Sequence, residues 1–104
     1  MKLYTTGEVV GKEIERSLGM VRGNTIRARN VGRDILAGLR NIVGGEIKDY
    51  TEMLSDARDE ALSRMVKEAE EMEADGIVEV RFTTSETMGG AAEILAYGTA
   101  VKFK

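Results

Sequence analysis

The 104-residue chain has no cysteine and no histidine. Without thiols it has no disulfide, and without imidazole it has neither a Cys–His nucleophile pair nor a Ser–His–Asp triad. Thiolate and imidazole also dominate zinc and copper sites. The donors that remain are carboxylates, carbonyls, hydroxyls and thioethers, and the oxygen donors among them suit hard cations such as magnesium, calcium or manganese. Proline is absent too, so the twelve glycines must supply the tight turns and positive-φ positions. No apolar run approaches the roughly 20 residues that a bilayer-spanning helix needs. The polar stretch from Tyr4 to Gly7 replaces the apolar segment of a secretory signal. Both observations predict a cytoplasmic protein with no membrane partner. Net charge is −3 and basic residues never cluster beyond a pair, so the electrostatic footprint of a nucleic-acid binder is missing.

What is present describes one small domain. Hydrophobic residues make up 42% and charged residues 32%, a globular balance, at a length where assembly often supplies part of the burial. Alternation of apolar and polar residues predicts strands near Leu3–Thr6, Glu13–Ser17 and Met20–Thr25, with Gly7, Gly11, Gly19 and Gly23 as turn or bulge points. Asn30 is a suitable N-cap for a short helix carrying Ile35, Leu36, Leu39, Ile42 and Val43 on one stripe, which Gly44 and Gly45 end. Asp49 and Glu52 stand in a capping-box relation at the head of a long helix. From there to Asp75 neither glycine nor proline interrupts, and Met53, Leu54, Ala57, Ala61, Met65, Ala69 and Met72 recur at helical spacing. Glu60 with Arg64, and Lys67 with Glu71, are placed to pair one turn apart. Gly76 is expected to stop this helix, and Val78, Val80 and Phe82 then alternate as a strand. Ser85 to Gly90 reads as a loop, and Ala91 to Lys104 as a final strand that is apolar on both faces. The helix, about as long as a domain of this size, and the two-sided strand both call for a second subunit.

Several short stretches, in this order and at these spacings, carry a family likeness. They are Gly19 to Gly23 (G-M-V-R-G), Arg33-Asp34 with Ala37, Val43-Gly44-Gly45, Tyr50 with Leu54, Ala57-Arg58 with Ala61, and Gly98-Thr99-Ala100-Val101. Across nearly the whole chain the sequence resembles the YbjQ family. The resemblance implies an α+β subunit of the dodecin-like kind, in which a small antiparallel sheet carries a short and a long helix on one face. It also implies pentameric rings joined with the help of short extra strands, and a description as heavy-metal-binding. The chain departs from the pattern at the junction between long helix and strand, where Glu73 and Glu79 stand at positions the family tends to give to glycine.

The candidate ligand or interface residues are Arg33, Asp34, Gly44, Gly45, Tyr50, Arg58, Glu86 and Gly98. Asp34, in the first turn of the short helix, is favoured by the helix dipole, and Arg33 can hold an anion or a facing carboxylate; an intersubunit salt bridge is the plainer reading. Gly44-Gly45 fits a backbone anion nest or a simple helix stop. Tyr50 and Arg58 are placed either to line an intersubunit groove or to serve packing and ion pairing, Glu86 lies in a loop that reads as a ligand contact or as a plain hairpin connection, and Gly98 sits on a strand face that carries only small groups. The acidic run Glu68, Glu70, Glu71, Glu73 and Asp75 is either a hard-cation site or a solvated face, and calcium normally needs six or more converging oxygens. Met20, Met53, Met65 and Met72 are either thioether ligands for copper(I) or, since they fall on apolar faces, packing residues. No metal, cofactor or catalytic residue is assigned. The sequence predicts a non-catalytic homo-oligomeric binding or scaffold protein, a pentamer by the resemblance, with small-molecule or ion sites at subunit interfaces. The alternative is an enzyme that uses interface carboxylates and arginine, with a hard divalent cation.

Overall fold

A computed structural model describes residues 1–28, 48–86 and 90–104, and of residues 48–50 the backbone only. Strand β1 spans Lys2–Leu3, β2 Ile14–Ala28, β3 Gly76–Glu86 and β4 Ala91–Phe103, and the helix α1 spans Lys48–Glu71. The strands form one sheet in the order β1-β3-β4-β2. The three long strands are antiparallel, whereas β1 runs parallel to β3, so the sheet is mixed and the fold is α+β. The helix packs over β2 and β4. Among the described residues no helix is long and apolar enough to cross a membrane. The short helix expected from Ile35 to Val43 lies outside the described residues, as do Arg33, Asp34, Gly44 and Gly45.

The period of each segment explains how it packs. In α1, Ala57, Ala61, Met65 and Ala69 recur every four residues and are all buried, facing Val21 of β2, Ile77 and Val80 of β3, and Ile94, Ala96 and Ala100 of β4. Small side chains on this stripe let the helix approach the sheet closely. The closest approach is at Gly23, where a Cβ would stand 2.3 Å from the Ala61 carbonyl oxygen and 2.4 Å from the Met65 nitrogen. Gly23 is therefore no turn but the contact point of helix and sheet, and the two strands expected over 13–25 are one strand, β2. Gly19, with φ of 114°, does mark an irregularity, a register shift between Ser17 and Gly19.

Both ends of the helix-to-strand junction use left-handed backbone. The helix closes with Glu73 at φ 59°. The Glu73 amide donates to the Glu70 carbonyl (2.9 Å) and the Ala74 amide to the Ala69 carbonyl (3.0 Å), a Schellman closure in which glycine is the usual residue. Gly76 is thus not the helix stop; it opens β3, buried between the Phe103 ring and the Lys2 carbonyl. Within β3, Glu79 and Val80 both stand opposite Gly98 of β4, because the register shifts between Val78 and Arg81. Glu79, at φ 53°, is the extra residue of that bulge.

Two further expectations change in detail. Asp49 lies inside the helix rather than ahead of it, and β3 runs on to Glu86, which is exposed on the strand and not in a loop. The remainder of the predicted loop, residues 87–89, falls outside the described residues. The final strand is as two-sided as its pattern implied. Ala92, Ile94, Ala96, Gly98 and Ala100 are buried beneath α1, while Leu95, Tyr97 and Thr99 are half-buried on the opposite face of the sheet.

Candidate functional site

Among the described residues, those singled out by sequence do not converge. Tyr50 stands in the first turn of α1. Arg58, two turns on, is half-buried and donates through Nη2 to Ser55 Oγ at 3.3 Å, a bond within its own helix. Glu86 ends β3. Gly98 is a packing residue: a Cβ there would meet Ile77 Cγ2 at 2.7 Å and the Val78 carbonyl at 3.0 Å, so its small size admits the bulge of β3. Glu70, Glu71, Glu73 and Asp75 are exposed, and no basic residue occupies the last turn of α1.

Two polar constellations do form. The first ties α1 to β2. Arg64 bonds Glu60 Oε1 through Nη2 at 2.6 Å and the Asn24 carbonyl through Nη1 at 2.5 Å, and Arg27 bonds Glu60 Oε2. Buried Thr25 donates to the same Oε2 at 3.4 Å. The hydrogen bond from Arg27, reinforced by the charges of Arg64 and Arg27, holds the Glu60 carboxyl below the ordinary glutamate range despite the opposing effect of desolvation. With its carboxylate saturated by two guanidinium groups and a hydroxyl, this cluster is a clamp rather than a ligand site. The Glu60–Arg64 pair is the one its spacing predicted, whereas Lys67 and Glu71 do not close to ion-pair distance.

The second constellation is a cleft of about 360 Å³ at the β1 end of the sheet, lined by Lys2, Tyr4, Lys12, Asp75, Phe103 and Lys104. Four separate stretches of chain build it. The N-terminal segment is laid along β3 by hydrogen bonds from the Tyr4 amide to the Ile77 carbonyl and from the Val80 amide to the Tyr4 carbonyl, each 2.9 Å. Asp75 is fixed by its own amide bonding the Val101 carbonyl (2.9 Å) and by its Oδ2 accepting the Phe103 amide (2.9 Å). Tyr4 and Phe103 meet edge to face, with centroids 6.2 Å apart, and Lys12 Nζ lies 5.2 Å from the Phe103 centroid. Lys104 Nζ stands 3.4 Å from Glu13 Oε1. Sequence reasoning missed this cleft because its residues span positions 2 to 104 and share no periodicity. The parallel pairing of β1 with β3, which brings them together, leaves no local signal.

The comparisons agree with this architecture. The chain is 60% identical over 104 residues to a "UPF0145 protein" of Halorubrum lacusprofundi, covering 100% of both chains. It is 65% identical over 102 residues to a "UPF0145 protein" of Archaeoglobus fulgidus, covering 98% of this chain and 94% of that one. A crystal structure of a protein of unknown function from Pediococcus pentosaceus, assigned to the DUF74 family, superposes with a TM-score of 0.71 over 100% of this chain and 98% of that one. At 23% identity it shares the fold. The YbjQ family model, described as "Putative heavy-metal-binding", matches residues 1–104.

Among the described residues the donors do not fit a thiophilic ion. The sequence offers no thiolate or imidazole, and among the described residues no three carboxylates converge on a point. Met65 is fully buried in the core as its stripe implied, but Met20 on β2 and Met72 just beyond α1 are 61% and 39% exposed and pack no core. With the match running from the first residue to the last and relatives identical at more than half of their positions, the chain belongs to the YbjQ family.

Proposed function

We propose that this protein is a non-catalytic homo-oligomeric binding protein that closes into a ring of five, with its ligand or ion sites at or near the subunit junctions. The observation that carries the reading is strand β2. It is 15 residues long and stands at the edge of the sheet, hydrogen-bonded to β4 on one side and, among the described residues, to nothing on the other. Monomeric proteins keep such edges short or guard them with proline, charges or bulges; this chain has no proline, the register irregularities of β2 fall between Ile14 and Gly19, and from Met20 to Ala28 it pairs with β4 in unbroken register. Met20 and Ile26 on β2 are each 61% exposed, and Phe82 on β3 is 42% exposed although it pairs with buried Ala96. Pairing of the β2 edge with a different edge of the next subunit is a head-to-tail contact, the kind that generates rings. The number five rests on the family resemblance.

A non-catalytic role is supported by the character of the polar groups. The Glu60 carboxylate, held below its ordinary range, is consumed by the clamp of Arg27, Arg64 and Thr25. Light scattering at micromolar concentration tests the assembly. A mass five times that of the 11.4 kDa chain supports the proposal, and a folded monomer overturns it.

A further inference from the structure

We infer that the cleft beside β1 is a binding site for a small aromatic carboxylate. Three ammonium groups, those of Lys2, Lys12 and Lys104, face a single carboxylate, Asp75, across it. That carboxylate already accepts the Phe103 amide. Lys104 stands beside Glu13, but Lys2 and Lys12 form no ion pair among the described residues, so the cleft keeps a positive excess that an anion can neutralise. Among the charges, Tyr4 and Phe103 present half-buried rings in an edge-to-face pair, with Lys12 Nζ 5.2 Å from the Phe103 centroid, so a further ring would join the pair beside the ammonium that meets its carboxylate. Two aromatic rings among four charged side chains suit a ligand that carries both a ring and a charge, and about 360 Å³ lies within the ~300–1,000 Å³ that small-molecule sites occupy.

The ammonium groups sit on flexible stems as point charges rather than as a planar fork. They suit a single carboxylate near the rings better than a bidentate phosphate clamp. The cleft is held firmly for the same task, because Asp75 and Tyr4 are both tied to the main chain of β3 or β4.

Benzoate is the probe, titrated into the full chain while backbone amide shifts are followed by NMR, with acetate and benzylamine as controls. The expected result is a saturable shift of Lys2, Tyr4, Asp75 and Phe103 with benzoate, a weaker one with acetate, none with benzylamine, and loss of affinity as salt rises. The double variant Lys2→Gln/Lys12→Gln changes only exposed side chains, and an unchanged amide spectrum confirms its fold. It should bind benzoate about tenfold more weakly, the size of one lost charge-assisted hydrogen bond. Benzylamine moving the same amides, benzoate shifts that fail to saturate or map elsewhere, or a double variant that binds like the parent would each overturn the assignment. The cleft is built within one chain, so this titration and the measurement of mass succeed or fail separately.

Discussion

Glu73 and Glu79 hold left-handed backbone at φ 59° and 53°, where the Cβ of an L-residue crowds its own carbonyl by about 1–2 kcal/mol. Replacing either by glycine should raise stability by about 1 kcal/mol in chemical denaturation. No gain at either site would show that the glutamate side chains offset the strain. Gly23 behaves in the opposite way, since its backbone is not left-handed and what it lacks is room. Gly23→Ala places a methyl against the helix backbone at 2.3–2.4 Å and should cost more than about 3 kcal/mol, because main chain and not a mobile side chain must move. A denaturation midpoint close to the parent's would mean that α1 can lift from β2. At this scale the family likeness was informative, since it marked positions 73 and 79 as places where glycine is usual. Composition alone was not, and Gly23 read as a turn because a missing side chain looks the same in a turn as beneath a helix.

At the scale of elements, α1 carries a charge pattern against its own dipole, with exposed Glu70 and Glu71 in the last turn and no basic residue there. Glu70→Lys/Glu71→Lys should stabilise the chain by roughly 0.5 kcal/mol at low salt, and the gain should shrink as salt rises. A salt-independent effect would assign it to something other than the dipole. The clamp between α1 and β2 has its own signature in pH. Because the folded-state carboxyl of Glu60 titrates below its unfolded value, its contribution is present above the unfolded glutamate range. It is lost as pH falls through the lowered folded value. Denaturant midpoints followed from neutral to acid pH should therefore fall less steeply in Glu60→Gln than in the parent. An equal slope in that range would detach Glu60 from acid stability.

For the whole molecule, the edge of β2 and the exposed Met20 and Ile26 frame the test of assembly. Met20→Lys/Ile26→Lys, which leaves the buried face of β2 intact, should lower the mass seen by light scattering while circular dichroism keeps its α+β signature. An unchanged mass would move the interface elsewhere. Metal analysis after dialysis should find no stoichiometric zinc or copper, given a chain without thiol or imidazole and with Met65 sealed in the core. One tightly held ion per subunit would require donors drawn from several subunits.

The sequence by itself determined the local periods. The run of Ala57, Ala61, Met65 and Ala69 makes a helix with a narrow apolar stripe, and the alternation from Ala91 to Phe103 makes a strand that can bury both faces. It also determined, by omission, that thiolate and imidazole chemistry have no donors here. Only the tertiary structure decided that residues 14–28 are one strand, that β1 lies parallel to β3, and that Lys2, Lys12, Asp75 and Phe103 share a cleft. The reason is physical. Periodicity is a property of neighbours along the chain, whereas register and strand order depend on which distant surfaces exclude water together, and a hundred residues of separation leave no mark on local spacing.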